Sequence, residues 1–219
     1  MRLPTKTIER NLFRDGYTSV IGVDEVGMGC LAGPVVVCAV ALTCDFPFIA
    51  GIRDSKLLSQ KQRETLASEL IRNKIRFQIS LCYPKTIDKI NIYQASRKAM
   101  RKAITPLIPL IDKVERGNSS PLEARGVGGV MILVDGPHKI AGLNIEQRAI
   151  IKGDRTVFAI ACASILAKVH RDRMMTRYAK RFPQYGFERH KGYGTKLHYV
   201  ALAAHGPCEL HRKSFTIVA

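Results

Sequence analysis

The stretch Ile21 to Gly33 reads IGVDEVGMGCLAG, an apolar run ending in two adjacent carboxylates, Asp24 and Glu25, with glycines at 27 and 29 directly after them. It reads as a β-strand, and in an extended chain neighbouring side chains leave on opposite faces. Asp24 and Glu25 therefore share a site only if the chain turns at once. Gly27 and Gly29 supply that turn: without Cβ they reach positive φ, admit a ligand close to the backbone and face their N–H groups toward an anion or a hydroxyl. Carboxylates for a metal would then stand beside amides for a substrate, the alternative being a solvated strand end. A dinucleotide-binding loop needs G-x-G-x-x-G opening a helix. Here the spacing is 27, 29, 33, and Pro34-VVVCAVAL follows as a second β-branched strand.

Further along, the same arrangement recurs. Val130–Val134 is a short apolar run ending in Asp135-Gly136, and a short strand at Ala149–Ile151 leads into Lys152-Gly153-Asp154. Carboxylates at three strand ends beside glycines point to one polar edge of a sheet. The longest helical pattern, Val157 to about Arg181, is alanine-rich in its first half, as suits a helix pressed on a sheet, and carries Ser164, Lys168 and Asp172 on one face. Asp154 has a competing role there, because an acidic residue near a helix start satisfies free N–H groups. Strands are expected at Ser19–Val26, Val35–Thr43 and Lys74–Tyr83, and a short helix or arm within residues 1–18. Helices are expected after Ser59 as N-cap, with Leu66, Leu70 and Ile71 as the apolar stripe, and at Asn91–Ile104, basic on its outer side through Arg97, Lys98, Arg101 and Lys102. Asp112–Gly129 reads as a surface loop whose glycines lack the Lys-Ser/Thr and helix of a P-loop. Alternating short strands and helices give an α/β sandwich.

At 219 residues the chain holds one sizeable core or a core with a small appended unit, and 46% hydrophobic content fits a folded protein. No apolar run is long enough to span a membrane, and Met1–Arg14 carries charges where a secretory signal needs an apolar core, so a cytoplasmic location is expected. Lys+Arg number 35 against 18 Asp+Glu, a net +17 spread over the whole length, which favours a polyanionic partner, nucleic acid first. Carboxylates gathered in such a background repel phosphate unless a divalent cation lies between. The six cysteines form no C-x-x-C pair and read as reduced core residues; His205, Cys208 and His211 have suggestive spacing but lack a fourth zinc ligand. Arg53-Asp54-Ser55-Lys56 has a hydroxyl and cations placed to hold a phosphate, or is a solvated loop. From Tyr185 to Phe215, Arg189, His190, Lys191, Lys196, Arg212 and Lys213 interleave with Tyr185, Tyr193 and Tyr199. That pattern suits phosphate contacts with stacking, or a solvated basic face whose tyrosines pack against the core.

With these pieces assembled, the sequence resembles bacterial ribonuclease HII over nearly its whole length. The resemblance is carried by Asp24-Glu25-Val26-Gly27-x-Gly29, Leu31-Ala32-Gly33-Pro34, Asp54-Ser55-Lys56, Val134-Asp135-Gly136, Lys152-Gly153-Asp154, Ala163-Ser164-Ile165-Leu166-Ala167-Lys168, Arg171-Asp172, His190-Lys191-Gly192-Tyr193-Gly194-Thr195 and His211-Arg212-x-Ser214-Phe215. It implies a ribonuclease H-like mixed sheet flanked by helices, with residues 1–184 as catalytic domain and 185–219 as a small helical substrate-binding extension. It implies an endonuclease that cuts the RNA strand of RNA–DNA hybrids and nicks duplex DNA 5′ to an embedded ribonucleotide, as in ribonucleotide excision repair, leaving 5′-phosphate and 3′-hydroxyl ends. Asp24, Glu25, Asp135 and Asp154 would be catalytic and would hold Mn²⁺ or Mg²⁺ in a two-metal mechanism, with cations about 3.5–4 Å apart. Gly27, Met28 and Gly29 would read the ribose 2′-hydroxyl and Tyr193 would pack on the sugar. Asp54, Ser55, Lys56, Ser164 and Lys168 would hold phosphates, with Asp172 supporting. A monomer is expected. The family usually has arginine where this chain has Met28 and proline where it has Cys30, and the 112–129 loop is longer than the family needs. A junction-resolving nuclease on the same fold and a non-catalytic basic nucleic-acid-binding protein are the alternatives.

Overall fold

The computed structural model describes residues 3–108 and 129–215. The expected surface loop therefore lies, apart from Gly129, outside the described residues. A five-stranded mixed sheet forms the centre, built from β1 (Ser19–Val26), β2 (Val35–Leu42), β3 (Arg76–Cys82), β4 (Val130–Asp135) and β5 (Gln147–Ile150) in the order β3-β2-β1-β4-β5. β1 to β3 are joined antiparallel, whereas β4 runs parallel to β1 and β5 parallel to β4. The C-terminal ends of β1, β4 and β5 consequently share one edge. That edge is the polar one.

Period-two alternation sorts the strands' side chains onto two cores. Val20, Val36, Cys38 and Val40 face the long helix, while Ile21, Val23, Val35, Val37 and Ala39 face the opposite side. Among the described residues the α-helices are α1 (Thr7–Arg14), α2 (Gln60–Arg72), α3 (Pro84–Ile90), α4 (Ile92–Ile104), the long α5 (Phe158–Arg181), α6 (Phe187–His190) and α7 (Lys196–His205). α5 covers one face of the sheet and α4 the other. A Cβ at Gly22 would stand 2.6 Å from Cβ and O of Ala159, so the bare glycine sets how closely α5 lies on β1. A third cluster, Leu31, Ala32, Met175, Ala179, Tyr185, Phe187, Ala201, Leu202 and Leu210, fixes the C-terminal segment to the end of α5 and to the loop after β1. No helix among the described residues is long and apolar enough to cross a membrane.

Most element positions follow the sequence reading, with instructive differences. Ser59 caps α2 in a full capping box with Gln62. Ile71, expected on the apolar stripe, is 54% exposed, because α2 buries only Leu66, Ala67 and Leu70. Pro84 both ends β3 and opens α3, a helix the periodicity did not disclose. Arg97, expected on the solvated side of α4, is buried and donates to His138 O at 3.1 Å. The strand expected at Ala149–Ile151 is β5 at Gln147–Ile150. Asp154 does not cap α5. Glu9 of α1 reaches across and accepts the Ala159 N–H at 2.8 Å. Cys44 is exposed rather than core.

Candidate active site

At the polar edge a cavity of about 260 Å³ is lined by Asp24, Glu25, Val26, Gly27, Met28, Gly29, Ser55, Lys56, Asp135, Asp154, Ser164, Lys168 and Tyr193. Every residue expected at the site is in that lining except Asp54 and the supporting Asp172. Strand parity delivers the first two carboxylates from opposite faces. Asp24 leaves toward α5 and lies near the Ser164 hydroxyl, whereas Glu25 leaves toward α4, where the Arg97 guanidinium favours its charged form. They meet because both sit within two residues of the strand end. Asp135 closes β4, and its Oδ1 accepts the Gly153 N–H at 2.7 Å, which ties the ends of β4 and β5 together. Asp154 follows in the short 3₁₀ turn Gly153–Arg155, entered through Lys152 in the left-handed region.

Asp54 is withdrawn from the cavity by its own turn. Its carboxylate accepts the Lys56 N–H at 2.9 Å and pairs with Arg155 at 3.1 Å, and only 1% of it is exposed. Its effect is to hold the 3₁₀ turn Ser55–Leu57, so that Ser55 bonds Ser164 at 2.9 Å and Lys56 stands exposed at the rim. Lys168 pairs with Asp172 at 2.7 Å, and Arg63 approaches the same carboxylate at 3.7 Å. Tyr193 carries Lys168 and Arg171 over its ring, 5.7 and 5.8 Å from the centroid. Burial and the neighbouring Cys30 thiol push its hydroxyl up to about 12.

The electrostatics show what the cavity is suited to hold. Burial, then Glu25 and Asp135, holds Asp24 well above the usual carboxylate range; burial and Asp135 push Glu25 up to about 7, against Arg97 and Lys56. Burial, then Asp135 and Asp54, pushes Asp154 up to about 6. Like charges crowded out of water resist ionising unless a cation joins them. Glu25 Oε2 is buried with no hydrogen-bond partner among the described residues. Among those residues no three His, Cys, Asp or Glu side chains form a closed metal cage; the four carboxylates share a cavity without closing round one point. Their donor chemistry nevertheless fits a divalent ion: hard oxygens only, an orphaned carboxylate oxygen, and crowding that a cation relieves.

Sequence reasoning missed the buried cations beneath the site, Arg171 and Arg212, because charge patterning marks them as solvated. Arg212, read as part of a basic surface, is buried, whereas Tyr185 packs in the core as the second reading of the tyrosines has it, stacked on Phe187 with centroids 5.3 Å apart. His211, considered for zinc, has both ring nitrogens engaged, Nδ1 taking the Cys208 N–H at 2.9 Å and Nε2 facing His198 Nε2 at 3.0 Å.

This sheet order, with carboxylates at the ends of its parallel strands, is that of ribonuclease H-fold hydrolases. Superposition on the RNase HII of an archaeal PCNA:RNase HII complex, from Archaeoglobus fulgidus, gives a TM-score of 0.68 at 26% identity, over 91% of this chain and 96% of that one. Bst-RNase HIII in complex with Mn²⁺ shares the fold, with a TM-score of 0.68 at 18% identity over 93% of this chain and 69% of that one. The family model for Ribonuclease HII matches residues 21–218, and the chain belongs to that family, which makes it a ribonuclease H-type endonuclease. Similar relatives are the Ribonuclease HII of Caldicellulosiruptor saccharolyticus, 45% identical over 95% of this chain and 92% of the relative, and that of Endomicrobium trichonymphae, 42% identical over 97% and 92%.

Proposed function

We propose that the cavity hydrolyses the phosphodiester on the 5′ side of a ribonucleotide, in RNA–DNA hybrids and at single ribonucleotides in duplex DNA, leaving 5′-phosphate and 3′-hydroxyl ends. The observation that carries this is the lining itself: four carboxylates from three strand ends, next to a glycine turn, in a chain of net charge +17. Asp24, Glu25, Asp135 and Asp154 would hold Mg²⁺ or Mn²⁺, which when bound supply an activated water and stabilise the leaving oxygen. Each protein group has a separate task. Gly153 N–H holds Asp135 in place, Ser55 and Ser164 hold each other beside Asp24, and exposed Lys56 offers the strand's phosphates a point charge. Tyr193, propped by Lys168 and Arg171, presents a ring to the sugar. Residues 185–215 carry that tyrosine to the substrate. All four carboxylates come from one chain, which supports action as a monomer, and a cytoplasmic setting fits the nucleic-acid substrate.

The test is cleavage of a duplex carrying one ribonucleotide against its all-DNA copy, with and without Mn²⁺ or Mg²⁺. Selective, metal-dependent nicking is expected. Asp135→Asn removes a donor and a negative charge, so activity should fall by about 10²-fold or more while binding is kept or tightened. Cleavage of the all-DNA copy would favour a junction-type nuclease. Normal turnover by Asp135→Asn would remove the carboxylates from the chemistry.

A further inference from the structure

Arg171 and Arg212 are fully buried, and neither makes an ion pair among the described residues. A guanidinium taken out of water persists only where its N–H groups meet strong acceptors. Both find them in backbone carbonyls, all but one of them in the loop after β1. Arg171 donates to Pro34 O and Ala32 O, each at 3.1 Å, and to Lys191 O at 2.8 Å. Arg212 donates from Nη2 to Gly27 O at 2.6 Å and Gly33 O at 3.0 Å, from Nη1 to Met28 O at 2.9 Å and from Nε to Gly33 O at 3.1 Å.

The consequence lies on the other side of those peptides. In a trans peptide the C=O and the following N–H point in opposite directions, and no peptide among the described residues is cis. Holding the carbonyls of Gly27 and Met28 on Arg212 turns the N–H groups of Met28 and Gly29 away from it. Both residues line the cavity, and neither N–H has a backbone or side-chain acceptor among the described residues. Gly27, at φ +94°, supplies the conformation that permits this.

We infer that Arg212 is a positioning residue that aims the Met28 and Gly29 amides at a hydroxyl of the bound strand, so that preference for ribose over deoxyribose depends on a side chain that never meets the substrate. This rests on the function proposed above. Lysine at 212 would keep the charge but not the planar fork, since one nitrogen cannot reach three carbonyls in two directions.

The test compares binding of the single-ribonucleotide duplex and its all-DNA copy in an Asp135→Asn background. Three proteins are measured: that variant alone, with Arg212→Lys, and with Leu202→Ala, a truncation elsewhere in the C-terminal core. The ribonucleotide preference should fall at least fivefold with Arg212→Lys and stay unchanged with Leu202→Ala, thermal melts confirming that each is folded. An unchanged preference in folded Arg212→Lys overturns the inference alone. Absence of any preference in the parent overturns the proposed function and this with it. Should Arg212→Lys not fold, hydrogen exchange on the unaltered protein decides: the Met28 and Gly29 amides should be slowed by the ribonucleotide duplex and not by the all-DNA copy, and equal protection overturns the inference.

Discussion

Acidification should loosen the C-terminal segment through His198, whose hydrogen bonds leave no room for a second proton. Its Nδ1 lies 2.9 Å from Tyr193 O, and a carbonyl only accepts, so Nδ1 carries the hydrogen. Nε2 of neutral His198 must then accept, 3.0 Å from His211 Nε2, which therefore donates. This leaves His211 Nδ1 free to take the Cys208 N–H at 2.9 Å. One chain of bonds runs from Cys208 through two imidazoles to the backbone of Tyr193, and protonating His198 sets two N–H groups against each other. Burial, with His190 stacked 4.3 Å away, pushes His198 down to about 4 from an ordinary 6.5, and burial lowers His190 and His211 as well. Because the folded form is depressed, the unfolded chain takes the proton first. Stability is complete above about pH 6.5 and is lost as pH falls toward 4. At pH 5 the His198 contribution amounts to about 2 kcal/mol, a sizeable part of a domain's margin. The raised carboxylates Asp24, Glu25 and Asp154 act with the opposite sign, so the comparison is between wild type and His198→Gln, by urea unfolding at pH 7.5 and pH 5. Wild type should lose about 2 kcal/mol more than the variant over that interval. Equal losses would refute the bonding pattern deduced for the ring.

Two further outcomes follow from close packing and from charge. Gly22→Ala should cost about 3 kcal/mol or prevent folding, since the added methyl collides with the Ala159 backbone; a near-wild-type urea midpoint would show that α5 can shift. Met28→Arg places a cation beside the carboxylate cavity and should tighten substrate binding roughly fivefold at low salt, with the gain fading as salt rises. No gain in that titration would mean that position 28 does not face a phosphate.

The site was legible where chemistry is written along the chain and illegible where it depends on what the chain meets. A carboxylate before a glycine at a strand end has its direction fixed by alternation, so Asp24, Glu25 and Asp135 could be placed once the strands were, although the register of β5 moved by a residue or more. Asp54 sits in a motif next to Lys56, yet its direction is set by Arg155, about a hundred residues away in sequence. Glu9 became the cap of α5 because α1 packs there, and nothing in its neighbourhood along the chain records that. Arg97, Arg171 and Arg212 are the extreme cases. Composition assigns such residues to solvent, but a guanidinium can be held inside wherever a folded loop offers carbonyls that no helix or strand has taken. The loop after β1 is such a place, because a turn that aims amides outward must aim carbonyls inward. In this chain the inward carbonyls of that glycine turn and its loop meet Arg212 and Arg171, two residues that charge patterning sets aside.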